Sequence, residues 1–126
     1  MKSVLDPTYW GTEQPTPELA RISQAVLDAA TEALGEPPST GGCVTFFTPE
    51  EWKARNEVYG CNSRLIICHD GGDFAPLINL DYEQYTLHDK FDEALKRRLP
   101  ELYIEPCTCW YAALYPTYPK GTEDGK

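Results

Sequence analysis

A chain of 126 residues with 20 acidic side chains against 11 basic ones has the length of one domain, and it can bury a core without disulfide or metal staples. Hydrophobic residues at 41% and charged residues at 25% argue against wholesale disorder, while apolar runs as short as LIIC and WYAALY are too brief for a spanning helix. The net charge of −9 disfavours nucleic acid and anionic membranes as direct partners and favours a basic protein.

The opening MKSVLDPTYW lacks the apolar stretch of a secretory signal, and the five cysteines (43, 61, 68, 107 and 109) are odd in number. Reduced thiols and a cytoplasmic location are therefore expected. Residues 1–15, rich in Pro, Thr and Gly, read as an irregular arm, and residues 117–126 as a flexible tail. Between them, residues 16–116 form one α+β domain.

The first helix starts at Thr16, a good N-cap, with Pro17 at the first helical position. Leu19, Ile22, Val26, Leu27, Ala30 and Leu34 then recur at helical spacing up to Gly35, so one face packs on a core. The outer side carries Asp28, Glu32 and Glu36 at steps of four, an acidic ridge without local lysines. CVTFF (43–47) is rich in β-formers and runs into TPEEW, where Thr48 and Glu51 make a capping box. The second helix spans about 49–59, lies on the surface, pairs Glu51 with Arg55 and stops at Gly60.

RLIIC (64–68) and APLINL (75–80), separated by HDGGDF, have the form of a β-hairpin, with Pro76 confining the second run to an edge. Thr86 caps a third helix whose core row is Leu87, Phe91, Leu95 and Leu99. Its i,i+4 pairs are Asp92 with Lys96 and Glu93 with Arg97. LYIEPCTCWYAALYP closes the domain as one strand-like run, in which Trp110, Ala112 and Leu114 alternate with Cys109, Tyr111, Ala113 and Tyr115. The order αβαββαβ gives a small mixed or antiparallel sheet of about four strands covered by helices.

The chemistry-bearing residues concentrate at Cys68, His69, Asp70 and Asp73, around Gly71 and Gly72. Adjacent side chains on a strand diverge, so Cys68 and His69 do not form a nucleophile–base pair. Asp and Gly also suit a turn on backbone grounds alone. His69 with Asp70 and Asp73 remains the alternative catalytic or ligand-binding set. Cys61, Cys68, His69, Cys107 and Cys109 are zinc-type ligands, but one CxC and no CxxC knuckle do not make a zinc site. Cys107 and Cys109 fall on one face of a strand. His88 reads as a solvated residue of the third helix. No metal or cofactor is expected.

Eight tyrosines and three tryptophans accompany the acidity. Tyr82, Tyr85, Tyr111, Tyr115 and Tyr118 fall in loops, on a strand face or near the C-terminus, and Tyr and Trp are enriched at binding hot spots. Short, acidic and motif-poor, the chain is similar in character to phage-encoded antagonists of host defence, anti-CRISPR proteins among them, and to immunity proteins that neutralise nuclease toxins. The similarity implies an inhibitor that covers a basic, nucleic-acid-binding surface of a partner. Its contacts are expected at Asp28, Glu32 and Glu36 on the first helix, at Asp70, Asp73, Asp81 and Glu83 around the hairpin ends, and at the aromatics Tyr82, Tyr85, Tyr111 and Tyr115. The alternatives are a small enzyme or ligand-binding domain built on His69, or a structural subunit.

Overall fold

A computed structural model describes residues 15–38, 44–57, 59–60, 62–69, 72–108 and 110–117. The order is α1 (Pro17–Leu34), β1 (Thr45–Phe47), α2 (Pro49–Ala54), β2 (Leu65–Cys68), α3 (Ala75–Ile78), a 3-10 turn (Leu80–Tyr82), α4 (Tyr85–Arg98), β3 (Leu102–Pro106) and β4 (Tyr111–Pro116). The four strands form one antiparallel sheet in the order β1-β2-β4-β3, so the protein is α+β. Among the described residues no helix is long and apolar enough to cross a membrane.

The helix signals of α1 act as read. Thr16 Oγ1 accepts the Leu19 amide at 3.2 Å, and Gly35 closes the helix at φ 86, a left-handed conformation that costs glycine nothing. Ile22, Val26, Ala29, Ala30 and Ala33 are buried, and the three alanines let α1 approach its main neighbour, α4, closely.

The sheet is covered on both faces. Phe46, Leu65, Ile67, Ala112 and Leu114 point to α1, α3 and α4 and join the main core. Phe47, Ile66, Tyr111 and Ala113 point the other way and close around Trp52 of α2. That two-sided burial explains why LIIC is apolar at every position rather than at alternate ones.

Several expectations are overturned. APLINL is no strand. Ala75–Ile78 is a short helix, in which Pro76 occupies an early position where its missing N–H costs no bond, and the 3-10 turn follows. Phe74, Leu77 and Ile78 enter the main core, and Phe74 meets the Phe91 ring edge to face at 5.7 Å. β2 therefore pairs with β1 and β4 and not with a hairpin partner.

The last run is two strands, not one. β3 and β4 form a hairpin whose turn holds Cys107, Thr108 and Trp110, with Thr108 Oγ1 accepting the Trp110 amide at 3.3 Å. Cys107 is thus in a turn and not on a strand face. α2 ends at Ala54, two residues before Asn56 at φ 65; it lies on the surface as expected, with Glu50, Lys53 and Ala54 exposed, and is anchored by the fully buried Trp52. Arg55 lies over the Phe47 and Trp52 rings, 4.9 and 5.1 Å from their centroids, instead of pairing with Glu51. α4 begins at Tyr85 after Gln84, so Thr86 belongs to its first turn and does not cap it.

Candidate binding surface

Of the α1 carboxylates, Glu32 belongs to the fold. It is bonded to Arg97 and, at 2.9 Å, to Arg98 of α4, and these two arginines hold its carboxyl below the usual glutamate range. Arg97 therefore turns to α1 and not to Glu93, whereas the expected Asp92–Lys96 pair forms at 3.1 Å. Asp28 accepts from Gln24 Nε2 at 3.0 Å, and Glu36 lies past the Gly35 cap, so the ridge ends with the helix.

Tyr111 is buried to 2% exposure, its ring edge against Trp52, and burial raises its phenol above the ordinary range; it presents nothing to a partner. Tyr115 is half-buried and stacks on Tyr103 at 5.8 Å across the β3–β4 pair. Asp73 is half-buried in the turn before α3. Asp70, Cys43, Cys61, Cys109 and Tyr118 lie outside the described residues, as do residues 1–14 of the arm and 118–126 of the tail.

Of the alternative set, His69 is enclosed and not on a bare exposed turn. His69 is 1% exposed at the end of β2, and its backbone N–H donates to the Trp110 carbonyl at 2.8 Å. Burial, with the Glu105 carboxylate beside it, raises the Cys107 thiol, the reverse of what an activated nucleophile needs. Among the described residues no group of three His, Cys, Asp or Glu side chains stands close enough to hold a metal ion.

The remaining expected residues come together. Asp81, Tyr82, Glu83 and Tyr85 are all exposed on the segment joining α3 to α4, along with Leu80, which the sequence did not single out. The segment is built rather than loose. Asn79 Oδ1 accepts the Asp81 amide at 2.9 Å, and the Glu83 N–H donates to the Leu80 carbonyl at 2.9 Å. Glu83 sits at φ 61, a left-handed conformation that costs a side-chain-bearing residue about 1–2 kcal/mol. His88, expected to be solvated, ties the segment to α4, since the Leu77 carbonyl stands 2.9 Å from its Nδ1 and accepts when that nitrogen carries the proton.

Beside this turn runs a groove between α4 and the β3 edge. Leu77, Ile78, Leu80 and Phe91 face Ile104 and Pro106 across a hollow of about 270 Å³. A second hollow of about 250 Å³ shares Asp92 and Ile104 with it and continues to Leu102. Asp92 lines both hollows and is paired with Lys96, while Asp89 and Glu93 of α4 line a separate, adjoining hollow with that pair. Spacing in the sequence marks neither wall, because the groove is made when the hairpin and α4 pack. No family model matches the chain, and no curated protein or solved structure shows significant similarity to it.

Proposed function

We propose that the protein is a binding protein whose Leu80–Tyr85 turn and neighbouring α4 carboxylates cover a basic surface of a partner, of the kind that holds nucleic acid, and thereby inhibit it. One observation carries the reading. Leu80, Tyr82 and Tyr85 are 48%, 46% and 58% exposed within six residues of chain, with Asp81 and Glu83 between them. Burying such side chains against a partner gains apolar area at low entropic cost, while the carboxylates select a cationic surface and speed encounter. The overall charge of −9 acts in the same direction at longer range.

The test is capture from a lysate of the source organism by the wild-type chain and by a Tyr82→Ala, Asp81→Lys, Glu83→Lys variant, with Glu32→Gln as control. The expected partner is retained by wild type and by the control, is lost by the triple variant, and is displaced by its own nucleic acid. A partner held equally by all three chains overturns the reading.

A further inference from the structure

We propose that the open edge of β3 takes up an extended basic segment of the partner as a fifth strand, with alternate side chains of that segment seated in the groove beside α4. The register assigns the edge. The Cys107 N–H donates to the Tyr111 carbonyl at 3.0 Å and the Thr117 N–H to the Glu101 carbonyl at 2.8 Å, and these bonds bracket the strand. Hydrogen-bonded pairs alternate along an antiparallel ladder, so Tyr103 and Glu105 turn their amides and carbonyls to β4. Leu102, Ile104 and Pro106 turn theirs outward. The Leu102 N–H is satisfied by the Leu99 carbonyl at 3.1 Å and Pro106 has none, which leaves Ile104 as the outward donor of the strand among the described residues. Flanking carbonyls at Leu102 and Pro106 complete a template for one short strand, and Pro106 ends it, a pattern that admits a peptide while resisting open-ended sheet growth.

The side chains agree with the backbone. Ile104 and Pro106 carry the outward-facing backbone groups and also wall the groove, opposite Leu77, Ile78 and Phe91. A strand added to Ile104 places every second side chain over this hollow and the others towards solvent. Charge decides between occupants. A second copy would bring another −9 towards Asp89 and Glu93, the α4 carboxylates left beside the mutually paired Asp92 and Lys96, whereas a lysine- or arginine-bearing segment is attracted. The basic character of the occupant rests on the function proposed above; the strand addition rests on the β3 register.

Four peptides of one length test both parts: alternating Val and Lys, its Glu counterpart, and two versions of the Val/Lys peptide N-methylated at one or the other set of alternate residues. Binding is read by fluorescence anisotropy and by amide shifts in ¹⁵N spectra. The Val/Lys peptide is expected to bind and shift the Ile104 amide, one N-methylated version to weaken by about tenfold or more while the other holds, and the Glu peptide to fail. Equal binding of both N-methylated versions, with the lysine dependence intact, overturns strand addition and leaves the basic-partner reading standing. Equal binding of the Lys and Glu peptides overturns the basic-partner reading instead. Failure of all four at millimolar concentration overturns the inference, as does a dimer whose Ile104 amide is already protected from exchange without peptide.

Discussion

Trp52 and Tyr111 meet edge to face with ring centroids 4.9 Å apart, and Phe47 at 5.2 Å and Trp110 at 5.8 Å complete a ring cluster on the sheet face turned away from α1 and α4. α2 is six residues long, too short to stand alone, so the indole is what fastens it to the sheet. Trp52→Ala should cost about 3–5 kcal/mol, and Trp52→Phe distinctly less, in urea unfolding. Because the groove is on the other face, Trp52→Phe should leave peptide binding unchanged; a loss of both together would mean that the two faces are coupled.

Glu32 supports the fold in a pH-dependent way. Its two arginine partners lower its folded-state value, so its contribution is present above the ordinary glutamate range and is lost as pH falls through the lowered value. Glu32→Gln should lower the urea midpoint slightly at neutral pH, and the gap to wild type should close in acid. Exposed pairs are screened, so added salt should narrow it too. A gap independent of pH would assign the loss to packing.

Two glycines separate backbone strain from steric crowding. Gly35 sits at φ 86 with open space around it, so Gly35→Ala should cost about 1–2 kcal/mol through conformation alone. Gly60 sits at φ 90, and a Cβ there would lie 2.7 Å from Ile66 Cδ1, which is fully buried; Gly60→Ala should cost about 1–3 kcal/mol more. Ile66→Val removes that methyl, so the double variant should recover part of the extra cost. Strict additivity of the two substitutions would disprove the contact.

What could be read in advance was local. The boundaries of α1 follow from Thr16, Pro17 and Gly35, and the parity of β4 follows from alternation, with Ala112 and Leu114 on one face and Tyr111 and Ala113 on the other. Trp110, expected beside Ala112 and Leu114, precedes the strand in the turn and packs with Trp52 and Tyr111 on the opposite face. What could not be read was set by packing at a distance. Glu32 looked like a free carboxylate because Arg97 lies 65 residues away in the chain. Tyr111 looked wet because alternation suggests one solvated face, and here α2 covers it. Ala75–Ile78 is too short for periodicity to choose between helix and strand, and burial against Phe91 decides it. The acidic aromatic turn was visible in Asp81, Tyr82, Glu83 and Tyr85; the groove beside it was not, because Ile104 and Leu77 meet only in three dimensions.

The tyrosines of that turn should separate binding from stability. Tyr82 and Tyr85 are about half exposed, so Tyr82→Ala and Tyr85→Ala should each shift unfolding by no more than about 0.5 kcal/mol. If they anchor the partner, each should cost about 1–2 kcal/mol of affinity, felt mainly as faster dissociation, because a truncated anchor weakens the formed complex and not the encounter. Asp81→Lys and Glu83→Lys act on the other limb: association should slow and lose its salt dependence, since the long-range attraction is what they reverse. Surface plasmon resonance at two ionic strengths, beside urea melts of the same four variants, resolves the two effects. Stability losses matching the affinity losses would place these side chains in the fold rather than at a contact.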